Sequence, residues 1–396
     1  MNSGRLVFAQ IIDILDPKQF TRCITRYPMP RASRSMTARD QFLAMAFAQI
    51  TFREGLRDIE ACLRGSNHLY AMGIPGNITR TNLAYANEFR DWRVYEALAQ
   101  ILIRKARRLY TQDANGLDID ELVYAIDSTT IDLCLSLFPW AMFRRAKGAI
   151  KLHTQIDLKG PIPVFIGITN GSAQDFHFLD QIAFEEGSIY VFDRGYNDFG
   201  RLHAIHQAGA FFVIRAKANT AFYVCKSRSV DKSTGLRCDQ IIRLNNYRAK
   251  REYPGQLRRI SFVDLKTGKR LVFLTNHFGL PALTVTLIYK SRWRIELFFK
   301  WIKQNLRIKA FYGTSENAVR TQIWIAICVY LMVACLNKIL EINESLSRIM
   351  QILSVNVFQK EPVYQLLKNT TLGMHEMAFL NSWYSMAFNW TLVSPR

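Results

Sequence analysis

The sequence predicts an α/β core that is preceded by a helical segment and interrupted by a basic, β-rich insertion. Apolar residues recur at helical spacing up to about residue 118, and short apolar runs typical of buried strands begin at residue 122. Residues 217–284 carry 14 Lys and Arg against 4 Asp and Glu, together with alternating stretches that favour strands. At 396 residues the chain is long enough for two or three domains.

Residues 1–118 are predicted to form a helical N-terminal domain. Thr37 is a candidate N-cap for an apolar-periodic helix, and a longer helix is expected over residues 87–110. Small basic helical domains often bind DNA, which is the role we predict here. The basic end of the longer helix is explained almost as well by the preference of cations for a helix C-terminus.

Five short strands are expected at residues 122–126, 151–157, 164–169, 188–192 and 210–215, with helices at 175–186 and 198–207. This order mixes an antiparallel start with parallel additions, as in the ribonuclease-H-like fold. The predicted divisions are therefore as follows: 119–216 is the first part of a ribonuclease-H-like catalytic core, 217–284 the insertion, 285–340 the core helices, and 341–396 a C-terminal region for dimer or DNA contact.

The charge balance points to a polyanionic partner. The chain has 52 Lys and Arg against 32 Asp and Glu, a net charge of +20, which is typical of nucleic-acid-binding proteins. A generically basic protein with solvated lysines is the alternative. Within the insertion we expect Arg248, Lys250 and Arg251 to contact DNA phosphates.

Several other classes of protein are disfavoured. Seven scattered cysteines without a C-x-x-C pair argue against a disulfide framework and a zinc knuckle. The most apolar run, residues 323–336, is short for a membrane span, so we predict a buried core helix and no membrane partner. No phosphate-binding loop motif is present, so no nucleotide cofactor is expected. We predict a cytoplasmic location.

Two acidic residues follow strands that would be neighbours in such a sheet. Asp127 ends the first apolar run and Asp193 ends the fourth. Two close carboxylates repel, and a pair of Mg²⁺ ions with Glu296 as a third ligand would relieve that repulsion, with Mn²⁺ as a substitute. Two such ions suit phosphoryl transfer. Taken singly, each aspartate is explained better as a turn or cap residue.

A predicted helix over residues 281–306 places cations around Glu296. At 100° per residue, one face collects Tyr289, Arg292, Glu296, Lys300, Lys303 and Arg307. Salt bridges within the helix are the simpler explanation for part of this pattern. A single carboxylate cannot neutralise four cations, so we expect the surplus to bind phosphate.

These motifs resemble the DDE transposases of the insertion-sequence-four class of bacterial mobile elements, over about residues 30–365. The resemblance rests on Ala-Ile-Asp127-Ser-Thr, on Tyr-Val-Phe-Asp193-Arg-Gly-Tyr, and on a Y-x2-R-x3-E-x6-K signature. That signature is filled by Tyr289, Arg292, Glu296 and Lys303. The Arg215-Ala-Lys217 segment is also similar to family members.

The resemblance implies a homodimer that binds the terminal inverted repeats of its own insertion sequence, cleaves the ends with Mg²⁺ and joins the 3′-hydroxyls to target DNA. Asp127, Asp193 and Glu296 would be the catalytic metal ligands. The DNA-binding residues would include Tyr289, Arg292, Lys303, Arg215 and Lys217. Two alternatives stay open: a Mg²⁺-dependent nuclease of the same fold without strand transfer, and a non-catalytic DNA-binding descendant.

Overall fold

The computed structural model describes residues 4–29, 36–111, 113, 117, 119–144, 147–160, 162–305 and 311–368. The chain divides into two compact units, one formed by Met1–Lys105 with Gln304–Arg396 and the other by Ala106–Lys303. This division differs from the predicted segments because the helix after residue 315 packs with the N-terminal helices.

The second unit combines runs of strands with a few helices, whereas the described part of the first unit is helical. The helices are α1 (Val7–Ile12), α2 (Pro17–Arg26), α3 (Ala38–Ile50), α4 (Leu56–Arg64), α5 (Arg80–Phe89), α6 (Arg93–Tyr110), α7 (Phe199–Gln207), α8 (Tyr247–Glu252), α9 (Ala282–Ser291), α10 (Trp293–Asn305), α11 (Glu316–Ile339) and α12 (Leu346–Asn356). The strands are β1 (Val123–Leu133), β2 (Met142–Arg144), β3 (Lys147–Asp157), β4 (Ile162–Asn170), β5 (Ile189–Phe192), β6 (Phe211–Arg215), β7 (Phe222–Arg228), β8 (Leu236–Leu244), β9 (Leu257–Val263) and β10 (Arg270–Thr275).

In the first unit, α3 and α11 form the core. Thr37 caps α3 as predicted, in a capping box with Asp40 that satisfies backbone N–H groups at the helix start. Helix α11 is the one helix in the described residues that is long and apolar enough to cross a membrane. However, 94% of its most apolar window is buried, which confirms the predicted core helix.

The single helix expected over residues 87–110 is wrong, because the chain forms α5 and α6 instead. Arg90 adopts an extended conformation and ends α5. Its buried guanidinium donates to the side chain of Gln41 at 2.7 Å and to the carbonyl of Met36 at 2.9 Å. These contacts hold Arg90 out of helical geometry.

In the second unit, the described strands form one mixed sheet in the order β2-β3-β1-β5-β6-β10-β9-β8-β7, and β4 also pairs with β3. Strand β1 is antiparallel to β3 and parallel to β5, and β5 is parallel to β6. This confirms the predicted antiparallel start with parallel additions. The segment 217–284 extends this same sheet, because β10 pairs antiparallel with β6 and places Phe273 opposite Arg215.

Two predicted helices differ in the structure. Residues 175–186 form a short 3₁₀ helix, Asp175–Gln181, instead of an α-helix. The long helix expected over 281–306 is divided into α9 and α10 at Arg292. The backbone N–H of Arg292 bonds to the carbonyl of Tyr289, three residues back, which interrupts the α-helical hydrogen-bond pattern.

Candidate functional site

The sheet brings Asp127 and Asp193 to adjacent strands. Strands β1 and β5 pair in parallel with Ile126 opposite Phe192, and the two aspartates are the next residues along each strand direction. Each carboxylate accepts the backbone N–H of the residue that follows it, Ser128 at 2.8 Å and Arg194 at 2.7 Å. The predicted neighbouring strands are therefore confirmed, and the two aspartates lie level with each other where the β1–β5 pairing ends. The prediction that the first strand ends before Asp127 is wrong, because β1 continues to Leu133 through its pairing with β3.

Arg292 links Glu296, the third acidic residue, to Asp127. Its Nη1 donates to Asp127 Oδ2 at 2.5 Å and its Nη2 donates to Glu296 Oε1 at 2.6 Å. The arginine side chain is 14% exposed, and its Nε is buried without a hydrogen-bond partner among the described residues. The i,i+4 ion pair considered from the sequence is thus present, from the junction of α9 and α10 to Glu296 on α10, and the same guanidinium also reaches β1.

Negative charge accumulates around Asp127. Burial raises the pKa of its carboxyl to about 6, although Arg292 and the Ser128 N–H favour the ionised form. Asp193 and Glu296 raise that pKa further by repulsion. One guanidinium therefore does not balance the carboxylates that surround it.

Tyr289 joins Asp193 to the same cluster. The tyrosine is 8% exposed, and its hydroxyl donates to Asp193 Oδ1 at 3.3 Å. Burial and the nearby Asp193 raise its pKa to about 12, so it remains a hydrogen-bond donor at neutral pH. Lys303 Nζ donates to the carbonyl of Thr130 on β1 at 3.0 Å. Lys300 is exposed, and Arg307 lies outside the described residues.

The chemistry of these side chains suits a divalent cation. Asp127, Asp193 and Glu296 offer only carboxylate oxygens, the ligands that Mg²⁺ and Mn²⁺ prefer. In the described part of the chain, no three His, Cys, Asp or Glu side chains are close enough to hold one ion together. Arg292 joins Asp127 to Glu296, and Tyr289 donates to Asp193. The Arg292 guanidinium lies over the Tyr289 ring, 5.8 Å from its centroid, and so connects the two pairs.

A cationic cavity begins one residue after Asp193. It has a volume of about 370 Å³ and is lined by side chains from the turn after β5 and from the strands β6, β7, β9 and β10. Its cationic residues are Arg194, Arg215, Lys217, Arg259 and Arg270. None of these five forms an ion pair with a described acidic residue, and Arg259 stacks over the ring of Phe222 at 4.9 Å. The cavity can therefore accept an anion.

The sequence predicted only two of the five cationic residues that line this cavity. Arg215 and Lys217 were predicted, whereas Arg194, Arg259 and Arg270 were not. Arg194 belongs to the Asp193 motif, a signal that was available in the sequence. Arg259 and Arg270 come close to Arg215 only because β9 and β10 continue the sheet beyond β6.

The predicted phosphate-contacting residues of the insertion lie on a helix. Arg248, Lys250 and Arg251 are exposed on α8, and Arg248 forms an ion pair with Glu252 at 2.7 Å. The pair explains part of the local charge pattern as an i,i+4 contact.

Two family models match separate parts of this chain. A sequence model for the transposase DDE domain matches residues 118–332, more than half of the chain, and a domain of unknown function (DUF4372) matches residues 3–75. The chain is 33% identical over 264 residues to a protein of Sinorhizobium fredii named as transposase y4zB. That alignment covers 65% of this chain and 72% of the relative.

Two more distant similarities were found. A Geobacillus stearothermophilus protein, named as the transposase for insertion sequence element IS5377, is 27% identical over 241 residues, which is 60% of this chain and 62% of that protein. A solved structure of a piggyBac transposase synaptic complex with hairpin DNA aligns with a TM-score of 0.44 and 10% identity. It covers 91% of this chain and 79% of the piggyBac chain.

Proposed function

The chain belongs to the transposase DDE domain family, and on that premise we propose that it cleaves the ends of its own insertion sequence and joins them to target DNA. The observation that carries the proposal is the connection of Asp127, Asp193 and Glu296 through Arg292 and Tyr289, which contact each other as a cation over a ring. These residues come from β1, the end of β5, α9 and α10, so their approach is a product of the fold.

We assign the core of the second unit to the ribonuclease-H-like fold. The support is the strand order β3-β1-β5-β6, in which β3 is antiparallel to its neighbour and the other three strands are parallel. In such sheets, side chains at the carboxyl ends of the parallel strands meet at one edge. Asp127 and Asp193 occupy corresponding places on two of these strands.

The proposed catalytic residues are Asp127, Asp193 and Glu296, which would also hold two Mg²⁺ ions. When bound, the ions would stabilise the attacking and leaving oxygens of an in-line phosphoryl displacement. Arg292 orients Asp127 and Glu296 with its two Nη groups, and Tyr289 orients Asp193 with its hydroxyl. Lys303 is held beside β1 by the Thr130 carbonyl, where a cation would attract the phosphate of the cleaved strand.

The cationic cavity supports a DNA substrate. Five cations that form no ion pair with a described acidic residue lie next to Asp193 and would hold backbone phosphates of the strand being cleaved. We extend this DNA contact to Lys300, Arg307 and the α8 cations, and to the helical segment 1–118. A homodimer acting on both element ends, in the bacterial cytoplasm, completes the proposal.

The test uses a duplex that carries the terminal inverted repeats of the element, a supercoiled target plasmid and Mg²⁺. The expected products are cleaved ends and joined target molecules, both abolished by a chelator and by Asp127→Asn. Cleavage without joining would favour the nuclease of the same fold. DNA binding without cleavage by the wild-type protein would favour the non-catalytic descendant.

A further inference from the structure

We infer that Asp175 is a positioning residue for Asp127 and that it acts through Ser128. The inference rests on the proposed function, because it assigns a role to Asp175 in that same reaction. Ser128 Oγ donates to Asp175 Oδ1 at 2.7 Å, and the backbone N–H of Ser128 donates to Asp127 Oδ1 at 2.8 Å. One residue therefore connects the two carboxylates.

The connection crosses the sheet. Consecutive residues of a strand point to opposite faces, so the side chains of Asp127 and Ser128 leave β1 on opposite sides. Asp175 contacts Ser128 from the face opposite to Asp127. A hydrogen bond on this far face fixes the Ser128 peptide, whose N–H orients the catalytic carboxylate on the near face.

Asp175 is itself held in place by β3. Lys151 Nζ donates to Asp175 Oδ1 at 3.1 Å and to the carbonyl of Ala173 at 2.7 Å, with the lysine side chain 16% exposed. Lys151 and Thr130 are register partners, so the lysine reaches Asp175 from the strand that pairs with β1. The aspartate is thus anchored to the same two strands that carry the site.

His153 completes the packing around Asp175 without adding a second cation. It is the register partner of Ser128, is 1% exposed, and stacks on Phe178 at 4.9 Å between ring centroids. Burial lowers the pKa of its imidazole to about 4, so the ring is neutral at neutral pH. Its Nδ1 lies 4.0 Å from Asp175 Oδ1, and the charge of Asp175 is therefore balanced by Lys151.

Asp127 is oriented from two directions. Arg292 contacts Oδ2 and Ser128 contacts Oδ1, so each carboxylate oxygen has one donor. Groups that orient a metal ligand typically change metal affinity or activity about 10- to 100-fold when they are removed. Loss of the Asp175 hydrogen bond should have an effect in this range.

The test is a double-mutant cycle with Ser128→Ala, Asp175→Ala and their combination. Each single variant is expected to lower the single-turnover cleavage rate about 10- to 100-fold. The double variant is expected to be no slower than the slower single variant, because both remove the same link. Asp175→Asn, which keeps an oxygen acceptor for Ser128 Oγ, should recover a rate within a few-fold of wild type.

Asp180→Ala is the matched control. Asp180 lies in the same 3₁₀ helix and accepts two hydrogen bonds from Arg201, at 2.6 and 2.8 Å, but it has no contact with Ser128. The Asp180→Ala variant should cleave DNA at the wild-type rate. A second readout is Mn²⁺ binding to the DNA-free protein, followed by electron paramagnetic resonance, which Ser128→Ala and Asp175→Ala should weaken in parallel.

Three results would overturn the inference: a wild-type rate in Ser128→Ala, multiplying effects in the double variant, or an Asp175→Asn variant as slow as Asp175→Ala. Ser128→Ala keeps the test decisive if Asp175→Ala fails to fold. Absence of cleavage by the wild-type protein would instead overturn the proposed function, and the Mn²⁺ titration would then test the link by itself.

Discussion

Arg292 donates a hydrogen bond to Asp127 at 2.5 Å, although 165 positions separate them in the chain. The same guanidinium reaches Glu296 at 2.6 Å, so a single cation connects β1 to α10. A planar guanidinium has donors placed to contact two carboxylates at once, a geometry that the single ammonium of lysine does not reproduce. The orientation of the two acids therefore depends on arginine at this position.

Arg292→Lys should fold normally yet lose most cleavage and strand-transfer activity. A hydrogen bond to a charged group contributes about 1.5–3 kcal/mol, so a loss of this size in the transition state lowers the rate roughly 10- to 150-fold. Single-turnover cleavage and thermal unfolding measure the two effects separately. Arg294→Lys, two residues further along at the start of α10, is the matched control, because Arg294 bonds only to the backbone carbonyl of Leu158 among the described residues. Equal activity in both variants would reduce Arg292 to a helix-stabilising residue.

Asp193→Asn should abolish cleavage and leave binding to element-end DNA nearly intact. The amide keeps the size of the side chain but removes a charge that would hold the metal ion, and such ions contribute several kcal/mol to the transition state. We expect the rate to fall by about 10³-fold or more. Cleavage assays with Mg²⁺ and a gel-shift assay on the same duplex provide the measurements. Wild-type cleavage by this variant would refute the assignment of Asp193.

Lys303→Ala should retain the fold and lose most activity. The variant removes the hydrogen bond to the Thr130 carbonyl, which is worth about 1 kcal/mol, or about 2–4 °C in melting temperature for a unit of this size. A much larger loss of activity than of stability is expected, since the cation would attract the phosphate. Gln304→Ala, at the exposed next position, is the control. Full activity of Lys303→Ala would mean that Lys303 only stabilises β1 through its hydrogen bond to Thr130.

Neutralising Arg248, Lys250 and Arg251 together should weaken DNA binding and flatten its salt dependence. Each phosphate contact that is lost reduces the slope of log affinity against log salt by about 0.9. Because Arg248 also pairs with Glu252, we expect Arg248 to contribute least of the three residues to this slope. Binding isotherms at several salt concentrations measure the slope. An unchanged slope would show that the α8 cations are only solvated.

The metal-free protein should lose stability as the pH rises from about 4 to about 6, and Asp127→Asn should remove this component. The folded-state pKa of Asp127 is about 6, above the ordinary 3.8, so the folded state binds the proton more tightly than the unfolded state. The free energy of unfolding that comes from this protonation is fully present below the ordinary pKa of 3.8. It is lost as the pH rises past the folded-state pKa of about 6. Denaturant unfolding of both proteins across this range, with a chelator present, measures the difference. Parallel stability curves for the two proteins would contradict the raised pKa.

Local sequence patterns predicted much of the second unit. The apolar runs that end at Asp127 and Asp193 correctly predicted two buried strands, and their parallel pairing followed from the order of elements. Thr37 was identified as an N-cap because capping depends on residues within one helical turn. The break of the long helix at Arg292 was missed, since helical periodicity continues through it and only the backbone hydrogen bond reveals the change.

The amino-acid sequence predicted the basic charge, the antiparallel start with parallel additions, the adjacent strands that carry Asp127 and Asp193, and the spacing of Tyr289, Arg292, Glu296 and Lys303. These properties depend only on composition and on the spacing of residues that are close together in the chain. Three contacts became visible only in the folded structure: Arg292 bridges Asp127 and Glu296, Arg259 and Arg270 share a cavity with Arg215, and Asp175 accepts a hydrogen bond from Ser128. Such contacts depend on strand register and side-chain direction across distant segments, and a one-residue shift in register would move every side chain of a strand to the opposite face.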